Sequence, residues 1–322
     1  MSNEQLKGYP DGLNTRFFRD VLKIRHLRIL AALDQMGQIT KVARAFNVTQ
    51  PAVSKQIADL ERELGSTILL RQGNTVGFTP VGALLVRHAK DMLNRMQRTE
   101  FDIEALRKGL SGHVRIGVAA SLMPTILPEA IRLMVQAAPS AVVTVSEGHF
   151  YQMLPTLLGG EIDMMLTRVW RPVPLDGVEQ LSLGVDPLLV VAGSGHPLAR
   201  QNAITWEAAL EWPWLRTTAG SVASDAMDVF LAERGLRRLA GQVEAASILL
   251  SLSLMRIMPY LALFPEGLAR YHSSRGELAI LPLHLDGILS EARCFWLSNE
   301  ADETVTLFRA CLVQAARDLF KG

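Results

Sequence analysis

The sequence predicts two architectures in one chain of 322 residues: an N-terminal all-α winged helix-turn-helix with a long linker helix, then a C-terminal α/β domain of two subdomains. Three observations point there. Apolar residues recur at helical spacing from Ile24 to Leu64, whereas from His113 strand-like runs alternate with helical ones. The chain is 49% apolar and long enough for more than one core. Charge is unevenly distributed: residues 1–110 carry 17 basic and 11 acidic side chains, residues 111–322 carry 16 and 21, and the whole chain is only +1. A basic head on an acidic body implies that the head meets a polyanion and the body does something else.

Residues 1–23 are a polar extension with no apolar run and no small-residue cleavage site, so no secretory signal is expected and the protein is expected in the cytoplasm. Residues 24–82 form the winged unit. Its first helix, IRHLRILAALDQMG, should end at Gly37. Thr40 should cap a second helix, TKVARAFN, with Val42, Ala43 and Phe46 turned inward. Asn47 and Val48 make a turn. Thr49 and Pro51 then open a third helix whose Val53, Ile57, Leu60 and Leu64 share a face until Gly65 stops it. Two short apolar runs around Gln72-Gly73-Asn74 follow as a β-hairpin.

Thr79 and Pro80 start the linker helix, assigned to residues 80–110, about 45 Å at ~1.5 Å per residue. Val81, Leu84, Leu85, Ala89, Met92, Leu93 and Met96 form an apolar stripe along it, continuing through Ile103 and Leu106. A lone helix of this length needs a partner, and Leu85, Met92 and Met96 are the expected interface of a homodimer or homotetramer.

Residues 111–322 read as β-α-β units with mostly parallel strands. The first subdomain is placed at about 113–185 and 286–322, the second at about 186–285. Expected strands include HVRIGVAA, AVVTVSEG and IDMMLTR, then Leu188–Ala192, Trp214–Thr217, Gln242–Glu244 and Leu261–Phe264. Two more, GELAILPL and ARCFWLS, precede a helix from Glu303 to Phe320. Residues 245–265 are apolar over about the length of a membrane span, but Arg256, Pro259 and Pro265 interrupt them, so a buried helix and strand are expected and no membrane partner. Cys294 and Cys311 sit in apolar contexts without metal spacing and read as buried free thiols.

The segment 40–65 carries the strongest chemistry. In a helix-turn-helix the second helix enters the major groove and reads bases with its first turns. With Val53, Ile57 and Leu60 inward, Gln50, Pro51, Ser54 and Lys55 face out: an amide for an adenine edge, a ring for a thymine methyl, a hydroxyl and a cation. The same residues would also suit an ordinary solvated helix face; the adjoining hairpin and the basic excess favour DNA.

These residues resemble the LysR-type transcriptional regulators, whose N-terminal signature looks like LRILAALDQMGQITKVARAFNVTQPAVSKQIADLERELGSTILLRQGNTVGFTPVG here. The resemblance spans nearly the whole chain. It implies a double-stranded DNA operator as partner, with Gln50, Pro51, Ser54 and Lys55 on the recognition helix, Thr40 on the preceding helix and Arg71 on the wing as DNA-contacting positions. Departures from the family pattern are Gln38 for a serine, Val42-Ala43 for an Ala-Ala pair and Leu69-Leu70 for Leu-Phe, all away from the reading face. RNA polymerase is a further partner of the kind such regulators address.

The remainder, through HVRIGVAASLMPTILPEAI, GGEIDMMLTR and GHPLA, resembles the family's effector domain, a periplasmic-binding-protein-like fold. In such architectures ligands bind beyond the carboxyl ends of strands. Ser121, Thr167, Arg168, Arg216, Thr217 and Ser247 are the strand-end groups expected to hold a small-molecule effector, an anionic metabolite whose charge Arg168 would meet. Singly, each suits a helix cap or a surface position equally well. His149 is a weaker candidate. No cofactor and no metal site is expected, since the seven histidines are scattered, and no catalytic residue, since GxSxG, GxxxxGK[ST], HExxH and CxxC are all missing from the sequence. A solute-binding module or an enzyme on the same α/β scaffold, with an accessory helical domain, is the alternative; neither accounts for the basic head.

Overall fold

The computed structural model describes residues 16–72, 75–107, 112–171, 173–218, 221–236, 243–298 and 302–320. The chain divides into two compact units, Met1–Phe101 and Asp102–Gly322. In the first, α1 (Ile24–Met36), α2 (Ile39–Ala45) and α3 (Gln50–Leu64) surround a core of Leu30, Leu33, Val42, Val53, Ile57 and Leu60. Gly37 and Gly65 stop α1 and α3 in the left-handed conformation, at φ 65° and 72°, which glycine adopts without a Cβ penalty. Asn47, at φ 53°, supplies the same turn between α2 and α3 with an asparagine. The wing is β1 (Leu69–Gln72) against β2 (Thr75–Phe78), antiparallel, with Leu69 opposite Phe78 and Arg71 opposite Val76. Its proposed turn residues Gly73 and Asn74 lie outside the described residues, as does the Arg71 side chain.

Four readings of this unit are corrected. Gln38, not Thr40, occupies the cap position of α2, and Thr40 is an exposed residue one position inside the helix. Phe46 is exposed, because α2 has already ended at Ala45 and the ring leaves the core face. The extension is not merely polar: Phe17, 1% exposed, packs into the winged-unit core. Leu85, 7% exposed, belongs to that same core with Val86 and Ala89, so the stripe along α4 (Pro80–Arg107) has a buried part and an exposed part. The exposed one carries Val81, Leu84, Met92, Met96 and Ile103. Leu85 lies seven and eleven residues before Met92 and Met96, two and three turns away on the same side of the helix, so spacing alone could not separate the turn that packs on the core from the turns beyond it.

Two side chains tie the wing to the helices. Glu61 Oε1 on α3 accepts the N–H groups of Ile68 and Leu69 at 2.8 and 3.1 Å. Thr79 Oγ1 accepts the Gly82 N–H at 3.0 Å, capping α4, and donates to the Thr67 carbonyl at 2.7 Å. Gly82 then passes so close to β1 that a Cβ there would lie 2.1 Å from the Ile68 carbonyl oxygen.

The second unit runs β3 (His113–Val118), α5 (Leu127–Ala137), β4 (Val142–Glu147), α6 (Phe150–Leu158), β5 (Met164–Val169), β6 (Val178–Gly193), α7 (Trp206–Leu210) and β7 (Leu215–Arg216). It continues α8 (Val222–Glu233), β8 (Val243–Glu244), α9 (Ile248–Ile257), β9 (Leu261–Pro265), α10 (Glu266–Ser273), β10 (Leu278–Leu297) and α11 (Glu303–Leu319). Six strands form one sheet in the order β4-β3-β5-β10-β6-β9, and β7 pairs with β8. The expectation of mostly parallel strands fails. Among the described strands, β3 runs parallel to β4 and β5, and β7 to β8; β10 is antiparallel to β5 and β6, and β6 to β9. GELAILPL and ARCFWLS belong to one 20-residue strand, whose register against β6 shifts between Ile280 and Leu289.

These two long strands pass from one core to another. Ile116, Met164, Leu166, Leu183 and Ala292 share a core with Phe308 and Leu312 of α11, so the final strand and helix return to the first half. Leu188, Trp214, Phe230, Leu263 and Leu285 share the second. Residues 245–265 form α9 and β9, and among the described residues no helix is long and apolar enough to cross a membrane. Cys294 and Cys311 are buried free thiols; burial pushes the Cys294 thiol up to about 12.

Candidate functional site

On the first unit, Thr40, Gln50, Pro51 and Lys55 are exposed and Ser54 is half-buried. Gln50 Nε2 donates to Ser54 Oγ at 2.8 Å, one helical turn on, which holds the amide along the helix face instead of leaving it free. Lys41, Arg44 and Lys55 are exposed cations on α2 and α3 with no ion pair among the described residues. An array of unneutralised cations beside an oriented amide suits phosphates and base edges.

In the second unit a cavity of about 300 Å³ opens where the carboxyl ends of the parallel strands meet helix N-termini. The chain after β3 brings Ala119 to Ser121, β4 brings Glu147, and β5 brings Thr167 and Arg168. α6 begins on it at Phe150, α8 at Val222 and α9 at Ile248. Leu188, Leu263, Phe264 and Leu268 supply apolar wall. Each helix start directs backbone N–H groups and a positive dipole end toward this space.

The predicted residues divide. Ser121, Thr167, Arg168 and Thr217 line the cavity. Arg216 does not: it turns to Asp228 at 2.9 Å and Ser224 at 3.2 Å, beside α8. Ser247 does not either; its hydroxyl accepts the Leu250 N–H at 3.2 Å as the cap of α9, while its neighbours Ala246 and Ile248 reach the cavity. Thr167 is 2% exposed and its hydroxyl has no hydrogen-bond partner among the described residues.

Arg168 requires the largest correction. It is 5% exposed, and its guanidinium donates from Nη1 to Asp186 Oδ1, from Nη2 to Asp186 Oδ2 at 3.2 Å, from Nη1 to Ser290 Oγ at 3.1 Å and from Nε to Ser121 Oγ at 3.2 Å. Burial lowers its pKa and Asp186 opposes that shift. A buried cation must find a carboxylate within the protein, and this one has. It is therefore not the free counter-charge expected for a ligand. Asp186, which also accepts the Gly267 N–H at 3.0 Å, is the site residue that sequence reasoning missed. An aspartate in the apolar strand DPLLVVAG was the available signal. Glu147, His149, Gln152, Thr218 and Ser221 also line the cavity. Among the described residues no group of His, Cys, Asp and Glu could hold a metal ion.

Comparison with known proteins covers both units. Residues 24–83 match the family model described as bacterial regulatory helix-turn-helix protein, lysR family, and residues 107–317 match the LysR substrate binding domain. The chain is 26% identical over 284 residues to the HTH-type transcriptional regulator GbpR of Azospirillum brasilense, covering 88% of this chain and 83% of that one. It is 26% identical over 307 residues to PcaQ of Agrobacterium fabrum (strain C58 / ATCC 33970), covering 94% and 97%. Full-length CbnR complexed with its target DNA shares the fold, with TM-score 0.65 and 18% identity over 91% of this chain and 100% of that one.

Proposed function

The chain belongs to the LysR family of bacterial helix-turn-helix regulators, and from that premise we propose that it reads an operator with Gln50, Pro51, Ser54 and Lys55 and answers to an anionic metabolite in the α/β cavity. It is a DNA-binding transcription regulator with an effector-binding domain. The helix-turn-helix match of residues 24–83 favours this reading over the solute-binding and enzymatic alternatives. The protein acts as a homo-oligomer in the cytoplasm, touches RNA polymerase at its promoters, and carries no catalytic role.

One observation supports the anion reading: beside Glu147, the strand-end hydroxyls and the helix-start amides are donors. Arg168 Nε–H occupies a lone pair of Ser121 Oγ, leaving the serine O–H to donate into the cavity. The Thr167 hydroxyl is unengaged among the described residues, and the first N–H groups of α6, α8 and α9 lack intrahelical acceptors. An acceptor-rich group such as a carboxylate satisfies such a set. Thr167→Val and Ser121→Ala are expected to abolish the thermal shift produced by any small anion found in a screen of the full chain, while ligand-free operator affinity persists. An unaltered shift in both variants removes the cavity assignment.

On DNA, Gln50→Ala is expected to cost about 1–3 kcal/mol at the cognate operator and to relax base preference. Arg71→Ala, at the wing, should weaken all sequences alike and lower the salt slope by about one. Fluorescence anisotropy against cognate and random duplexes distinguishes them; equal losses on both duplexes for Gln50→Ala would contradict base reading.

A further inference from the structure

The cavity wall contains a positive charge that the protein has already cancelled. Arg168 reaches Asp186 on β6 with two nitrogens, and the carboxylate is held from a second side by the Gly267 amide at the start of α10. Ser290 on β10 supports the guanidinium at 3.1 Å and is itself fully buried. The pair is thus fixed by three elements and cannot turn its charge to a ligand without breaking several bonds. Among the described residues, the other formally charged side chain on the cavity is Glu147, which is negative. Apart from Glu147, the polar groups left for a ligand carry no fixed charge, and they include the Ser121 and Thr167 hydroxyls and the helix-start amides. Neutral donors and dipoles stabilise one negative charge; a second charge on the same ligand would be buried without a cation.

We propose that Asp186 sets the charge the cavity accepts: by neutralising Arg168 it selects a ligand with one carboxylate, or a like monoanion, on an apolar body and rejects the corresponding dianion. This rests on the cavity being the effector site. Asp186 touches no ligand itself and acts through Arg168, so it is a positioning residue for charge selectivity. The apolar partners Leu188, Leu263, Phe264 and Leu268 fit the uncharged remainder of such a molecule.

The test uses three probes with one ring and different charge, titrated calorimetrically into the full-length protein at about pH 8: cyclohexanecarboxylate, cyclohexane-1,1-dicarboxylate and cyclohexanecarboxamide. The wild type is expected to bind the monoanion about tenfold more tightly than either other probe. Asp186→Asn should reverse the order of monoanion and dianion, because Arg168 then carries an uncancelled charge. Adding Ser290→Asp, which returns a carboxylate to Arg168 from the other strand, should restore the original order. If Asp186→Asn does not fold alone, the dianion or the added Ser290→Asp should restore its circular dichroism, and rescue by neither overturns the proposal. So does a wild type that prefers the dianion or the amide, or binds none of the three, or a ratio that is the same in all variants. Charge selectivity that follows Asp186 while cyclohexanecarboxylate leaves operator affinity unchanged would remove the effector reading and keep this one.

Discussion

Replacing Arg168 by methionine is expected to destabilise the α/β unit by about 3–5 kcal/mol, because it strands the Asp186 carboxylate in a site 5% exposed to solvent. Only the Gly267 N–H would remain on that carboxylate, and one amide hydrogen bond replaces little of the hydration lost on burial. The double replacement Arg168→Met with Asp186→Leu removes both charges at similar volume, and should lie within ~2 kcal/mol of the wild type. Urea unfolding of the full chain followed by circular dichroism measures both. Equal destabilisation in single and double variants would mean that the guanidinium contributes by packing, with its charge balance irrelevant.

Where local chemistry decides the structure, the sequence was legible. Gly37 and Gly65 end their helices because glycine enters the left-handed conformation without a Cβ penalty, and Val53, Ile57 and Leu60 are buried because a period of 3.6 puts them on one face. Two helices around the cavity start on serine caps: Ser221 accepts the Ser224 N–H, as Ser247 accepts that of Leu250. Which cap also lines the cavity was not readable, since that depends on how far each helix is set back from the strand ends. The long strands β6 and β10 were misread for a local reason. Gly184 and Pro187 in β6, and Pro282 in β10, look like breaks, yet Pro187 pairs opposite Leu289 within the ladder. The partners found only in three dimensions are the long-range ones. Phe17 reaches the winged core from outside the periodic segment, and Glu61 clamps the wing across a turn. Asp186 meets Arg168 because β10 lies between β5 and β6, with Glu291 opposite both Val169 and Val185. An arginine at a strand end can be seen in a sequence; the carboxylate that claims it is set by register.

The exposed face of α4 carries the remaining large effect. Met92 and Met96, 47% and 42% exposed, continue from Val81 and Leu84 a line that nothing in the first unit covers among the described residues, whereas Leu85 lies in that unit's core. A regulator that reads two half-sites gains affinity from linking two reading helices, an advantage of about 10²–10⁴ without any new base contact. Met92→Glu with Met96→Glu is therefore expected to yield smaller particles in analytical ultracentrifugation and about a hundredfold weaker operator binding. Both unit cores should survive, because neither methionine is part of them. Leu85→Glu should behave differently: burying a carboxylate beside Val86 and Ala89 unfolds the winged unit itself, so DNA binding is lost together with its helical signal. An unchanged sedimentation coefficient for the double methionine variant would move the contact between copies off α4, and with it the expectation that half-sites lie about one helical turn, ~34 Å, or a multiple of it apart.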